Sequence, residues 1–215
     1  MTTHRTSKVY CAICGTPRMV MELTSHISFG GGTQYFDLSN NFTFTWAQIQ
    51  YCISCGYSAS KIAKHPKHPE VMKSKEYQAV LMHRWINVYC KAYLCHALFL
   101  RSESEFAKAA WSTFRAATLC DGSYWQGALD YRLKAVELIV LAHANRQKLN
   151  RASGEDFVWK ADLLRQCGEF ERAKDAINAG FACNPAEVVQ ELLNAELRLV
   201  DSGDTERRSV HEAGV

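Results

Sequence analysis

No run of apolar residues in this chain approaches a membrane span, which takes about 20 in succession. Its first ten residues, Met-Thr-Thr-His-Arg-Thr-Ser-Lys-Val-Tyr, contain no apolar h-region of a secretory signal, so a cytoplasmic protein without a membrane partner is expected. A glycine-rich phosphate loop followed by Lys-Ser/Thr is absent, as are HExxH, a nucleophile elbow and a supported His-Cys pairing. Each of those patterns exists because its chemistry needs those residues at that spacing. The expectation is therefore a protein that is not an enzyme and has no small-molecule substrate. Proline is scarce: two of only four residues fall in His65-Pro66-Lys67-His68-Pro69. Proline removes a backbone donor and disfavours helix at the residue before it, which predicts a linker over 63–70.

Cysteine, by contrast, is plentiful. Four of the nine stand in two matched knuckles, Cys11-Ala-Ile-Cys14-Gly15 and Cys52-Ile-Ser-Cys55-Gly56, with 37 residues between them. Two residues between paired cysteines let one tight turn present both sulfurs to the same ion, and four thiolates complete a tetrahedral Zn²⁺ shell. With every position filled by sulfur no site stays open for water or substrate, so one structural Zn²⁺ held by Cys11, Cys14, Cys52 and Cys55 is expected. The glycine after each pair predicts a positive φ, turning the chain past the metal and aiming backbone N–H groups at the thiolates. A redox-active CxxC normally opens a helix after a strand in a βαβ setting, and that setting is missing. Cys90, Cys95, Cys120, Cys167 and Cys183 lie in helical patterns without a second CxxC and read as buried packing residues.

Between the knuckles, Phe29-Gly30-Gly31-Gly32-Thr33 reads as a loop, and the alternation of Phe42, Phe44 and Trp46 reads as a strand running into Cys52. Beyond the linker the periodicity is helical, over about 69–101 with a break near His83, then about 103–120, 124–149, 155–167, 169–182 and 185–202. The aromatics of these helices, Trp85, Trp111, Trp125 and Trp159 included, read as core. The fold class expected is α+β and mostly α: a four-cysteine zinc ribbon of short antiparallel strands over 1–62, packed on an antiparallel helical array over 71–202, with a flexible tail over 203–215.

Charge is uneven. Residues 1–91 hold ten Lys and Arg against four acids, or +6, and residues 92–215 hold fifteen against eighteen, or −3. Lys61, Lys64, Lys67, Lys73 and Lys75 cluster after the second knuckle with His65 and His68. This cluster supports a nucleic-acid-binding accessory factor as the alternative function. Interleaved aromatics are sparse there, which favours a solvated basic linker and helix start. The x2 spacing of His65 and His68 suits a second metal, but no acidic or thiolate companions flank them.

Phe157, Ala161, Leu164, Gly168, Phe170, Ala173, Ile177, Gly180 and Pro185 span two helices joined at 167–169. The pattern resembles a tetratricopeptide repeat: small residues at 161, 173 and 180 let antiparallel helices approach, and the larger ones fill between them. Ala110, Phe114 and Ala117 followed by Asp121-Gly122 repeat the spacing of Ala173, Ile177 and Gly180, as a degenerate second hairpin offset by 63 residues. The resemblance implies that the first helix lines a partner groove, at the non-core positions Glu155, Val158, Asp162, Arg165 and Gln166.

As a whole the chain is similar to a bacterial family, classed as a domain of unknown function, that joins a four-cysteine ribbon to a tetratricopeptide-like helical half. Residues 11–15, Phe29-Gly30-Gly31 with Asp37-Leu38, 52–57, 106–120 and 161–173 carry the similarity, covering about 11–187. Members of that family have a proline inside each knuckle and an Arg-Pro after the Asp-Leu segment; this chain has neither. The function expected is a non-enzymatic zinc-binding scaffold or adaptor that recruits a protein partner through its helical surface.

Overall fold

The computed structural model describes residues 3–25, 49–122, 124–208 and 212–215. The Phe29 to Thr33 loop, Asp37-Leu38 and the strand expected through Phe42, Phe44 and Trp46 lie outside these residues. Strands β1 (Thr3–Tyr10) and β2 (Pro17–Ser25) form one antiparallel pair, and β3 (Gln50–Tyr51) and β4 (Ser58–Ala59) form a second. Seven α-helices follow among the described residues: α1 (Lys75–Met82), α2 (Val88–Ser102), α3 (Phe106–Cys120), α4 (Trp125–Ala144), α5 (Glu155–Gln166), α6 (Phe170–Ala182) and α7 (Glu187–Asp201). The chain is thus mostly helical with small antiparallel sheets near its N-terminus, and the helices pack on one another.

Local chemistry accounts for the helix ends. Ser74 caps α1 by accepting from the Tyr77 N–H, and Asn87 caps α2 by accepting from the Cys90 N–H, satisfying donors that a first turn leaves open. The break near His83 is real, with α1 ending at Met82 and α2 starting at Val88. Gly168, at φ 74°, turns the chain from α5 into α6. Gly180 is needed for close approach, since a Cβ there would stand 2.8 Å from Leu193 Cδ2 and 3.1 Å from Phe157 Cβ.

The chain divides within α4, between Tyr131 and Arg132. The boundary is not at 63–70, where proline content places a linker. Ile62 is buried in one core with Cys11, Cys52, Tyr57, Tyr77, Cys95 and Phe99, so the sheets and the first helices share an interior. Rings of Tyr57 and Tyr77 each meet Phe99 edge-on at 5.5 Å, a favoured aromatic geometry. Ser58 Oγ donates to Ala92 O at 2.8 Å and fixes β4 to α2.

The second unit centres on α5, α6 and α7 around Val158, Ala161, Leu164, Ala173, Ile177, Leu192 and Leu193, all buried. Its terminal residues are tied down in part, where the sequence suggests a flexible tail. Arg165 Nη1 donates to Asp204 O and Glu206 O, and Arg198 Nη2 donates to Ala213 O.

Candidate metal centre

Each knuckle is the turn of a hairpin. Tyr10 pairs with Pro17 across the first and Tyr51 with Ser58 across the second, so matching strand ends carry the two CxxCG segments. The backbone repeats as well. Cys11 N donates to Thr16 O at 3.0 Å and Cys52 N to Tyr57 O at 2.8 Å, while Gly15 N and Gly56 N return to Cys11 O and Cys52 O. Gly15 and Gly56 have φ of 71° and 78°, the left-handed region that costs glycine little.

The two turns bring Cys11, Cys14, Cys52 and Cys55 together, all four Sγ atoms within 4.8 Å of one another. Cys11 Sγ lies 3.6 Å from Cys55 Sγ, and Cys14 Sγ lies 3.6 Å from Cys52 Sγ. A tetrahedral ion with metal–sulfur bonds of about 2.3 Å separates its sulfurs by about 3.8 Å. The four-cysteine cluster therefore fits a metal ion, and the contacts pair one cysteine of each knuckle with one of the other.

Electrostatics around the sulfurs differ with depth. Burial pushes the Cys11 and Cys55 thiols up, opposed at Cys11 by the N–H groups of Cys14 and Ile13 and at Cys55 by that of Tyr57. Cys14, at the surface, is lowered to about 6, first by the Thr16 hydroxyl 3.2 Å from its sulfur and then by the Thr16 N–H. These donors favour thiolate, the form that binds metal.

Residues outside the two knuckles hold the centre in place. Tyr77 Oη donates to Gly56 O at 2.8 Å, Tyr57 Oη to Lys64 O at 2.7 Å, and Ala12 N to Ile62 O at 2.8 Å. A Cβ on Gly56 would stand 2.7 Å from Leu81 Cδ1, so the second knuckle seats directly on α1. The motif reading includes none of Thr16, Tyr57 and Tyr77; Thr16 and Tyr57 each stand two residues past the second cysteine of a knuckle, a spacing that could mark them, and nothing local marks Tyr77.

The remaining candidate residues fall elsewhere. Lys61, Lys64, Lys67, Lys73 and Lys75 are all exposed, with Lys67 Nζ 3.2 Å from Glu103. His68 does have an acidic companion, Glu70, 3.1 Å from its Nδ1, but the four cysteines form the only group of three or more metal-ligating side chains among the described residues. Glu155, Val158, Asp162, Arg165 and Gln166 do not line an open groove; all five are buried. Arg165, fully enclosed, donates to Asp162 at 2.7 Å and Glu196 at 3.0 Å, and Gln166 bridges Arg132 to Asp162. Their polarity serves one another, where the helical resemblance assigns it to a partner.

Two further expectations are corrected. Cys90, Cys95 and Cys120 are buried, but Cys167 is half-buried and Cys183 exposed, its Sγ reaching back to Ala179 O. Trp159 is core, whereas Trp85 and Trp125 are 72% and 64% exposed. Met82, Val88 and Tyr89 flank Trp85 and are also exposed, and the His83 ring lies 5.0 Å from that of Tyr124, beside Trp125.

No protein family, curated protein or solved structure matches the chain. No helix among the described residues is long and apolar enough to cross a membrane.

Proposed function

We propose that the protein is a non-enzymatic scaffold or adaptor, built around one structural Zn²⁺ and recruiting a protein partner through an exposed helical surface, though not through the tetratricopeptide-like α5 face. The identity of the ion follows from donor chemistry: four thiolates at tetrahedral spacing suit Zn²⁺ and leave it no open coordination position. The observation that carries the partner reading is the exposure of Met82, Trp85, Val88, Tyr89 and Trp125 around the α1–α2 junction. Large aromatics held in water at one place mark interaction sites far more often than chance surface residues do. With Glu155, Val158, Asp162, Arg165 and Gln166 buried, this junction replaces the α5 face as the recruiting surface.

The second reading, an accessory factor that binds nucleic acid, is supported by the solvent exposure of Lys61, Lys64, Lys67, Lys73 and Lys75. Lysine contacts to phosphate release counterions, so such binding weakens steeply with salt. Zinc-loaded protein captured from native lysate with and without nuclease separates the two. The scaffold reading expects a defined partner that survives nuclease and is lost from Trp85→Ala/Tyr89→Ala protein. Recovery of nucleic acid that disappears at moderate salt and in a Lys61→Glu/Lys64→Glu/Lys73→Glu variant, with aromatic replacement neutral, would overturn it.

A further inference from the structure

Cys90 and Cys120 belong to no knuckle. Cys90 sits in the first turn of α2 and Cys120 is the last residue of α3, and both side chains are wholly enclosed in a core with Ile86, Leu94, Ala116, Ala117 and Tyr131. Their Sγ atoms are 2.8 Å apart. That is closer than the 3.6 Å contacts within the metal centre, and about 0.8 Å of movement brings them to the ~2.05 Å of a disulfide. Cys90 Sγ also lies 3.5 Å from Ala116 O, one turn before Cys120, so the helix holds both sulfurs face to face. Cys95, five residues further along α2, is buried in the other core with Tyr77 and Phe99.

We propose that Cys90 and Cys120 are a redox modification site, closing to a reversible intrachain disulfide that staples the start of α2 to the end of α3. Hydrogen peroxide is the oxidant class that suits the place, because it is small and uncharged. One thiol gives up its proton and its sulfur attacks a peroxide oxygen. The O–O bond breaks, water leaves, and a sulfenic acid remains. The second sulfur then attacks the first, the S–O bond breaks, and a second water leaves with the remaining protons. The two thiols lose two electrons and two protons; the peroxide takes both and becomes two waters. A dithiol reductant reverses the step by exchange.

Position governs access. Residues 83–87 before α2 are non-helical and α3 stops at Cys120, and helix ends open more readily than middles. The Cys120 thiol and burial together push the Cys90 thiol far up, so oxidation is slow and depends on these openings. Once one sulfur is oxidised, its neighbour traps it before further oxidation.

The test uses the full chain loaded with zinc. It is treated with hydrogen peroxide, unfolded in an alkylating reagent and mapped by mass spectrometry, while released metal is followed with a colorimetric chelator. The expected result is two fewer alkylated cysteines per chain, a crosslinked peptide pair containing Cys90 and Cys120, and reversal by dithiothreitol with zinc still bound. Cys120→Ala and Cys90→Ala are each expected to abolish the crosslink, and Cys95→Ala to keep it. If peroxide releases the metal while Cys90 and Cys120 are both alkylated on unfolding, the proposal fails. The map of the unsubstituted protein decides this even where a variant does not fold.

Discussion

Both units of the molecule are organised around a polar centre, and they satisfy it in opposite ways. Up to Tyr131, the centre is four sulfurs carried by two hairpin turns. They bring no cation of their own, and their spacing fits an ion supplied from outside. Beyond Arg132, the centre is the enclosed Arg165 guanidinium among Asp162, Glu196 and the carbonyls of Asp204 and Glu206, a set the chain supplies complete. Burial pushes the Glu196 carboxyl well up, because the nearby Asp162 charge adds to the cost and Arg165 offsets only part of it. On the proposed zinc reading the first unit is conditional on metal, and the second on charges placed at the right depth.

The largest effect expected from this contrast is confined to the first unit. Cys52→Ser removes a buried ligand, and since metal-binding free energy is folding free energy there, it should abolish zinc binding and lower the stability of that unit by several kcal/mol. Amide exchange read peptide by peptide is expected to rise over 49–62 and 75–102 while α5 to α7 stay protected. Cys183→Ser, at an exposed position, should leave metal content unchanged; zinc loss there would mean that the ligands are misassigned.

Next in size is Arg165→Leu, which leaves Asp162 and Glu196 buried without their cation, at a cost of about 3–5 kcal/mol. It should release the segment at 204–206 and open α5 and α7 to exchange with zinc retained. A variant that keeps full protection would show that the ion network contributes little.

Smaller and separable are the responses to acid. Burial pushes His96 down to about 4, against an unfolded value near 6.5. The folded state stays neutral where the unfolded chain takes a proton, so stability is full above pH ~6.5 and falls by on the order of 2–3 kcal/mol as pH drops toward 4. His96→Gln should flatten that slope in the first unit. In the second unit, burial alone would raise the Asp156 carboxyl, but His143 at 3.1 Å and the N–H groups of Leu149 and Asn150 hold it below its usual value. A lowered carboxylate contributes above its unfolded pKa and loses that contribution as pH falls through the folded one. The second unit should thus weaken below pH ~4, and Asp156→Asn should cost about 1–2 kcal/mol at neutral pH and progressively less as the carboxyl takes up its proton in acid. Equal acid sensitivity in both variants would erase the distinction between the units.

How far the sequence reveals each unit follows from the range of the signals. The metal ligands are legible because CxxCG is local: spacing and glycine encode the turn that delivers the sulfurs, and Gly15 and Gly56 have the φ that this turn requires. Helix limits are legible for the same reason, through caps such as Ser74 and Asn87. What escapes is set by distant partners. Asp162, Arg165 and Gln166 look like a solvated face until Glu196 and Asp204, more than thirty residues away, enclose them. Trp85 and Trp125 look like core because aromatics at helical spacing usually are, yet the non-helical turn at 83–87 holds Trp85 outside. The 63–70 segment reads as a linker from its prolines, but burial of Ile62 and the Lys64 carbonyl's bond to Tyr57 join it to the ribbon.

Metal analysis of the purified protein, followed by its Co²⁺-substituted absorption spectrum, decides whether the first unit is built around a tetrathiolate ion. One zinc per chain, replaced by cobalt with the intense visible bands of a tetrahedral thiolate site and lost in Cys14→Ser protein, is the expected result. A folded chain that contains no metal, or cobalt bound in weakly absorbing octahedral form, would contradict it.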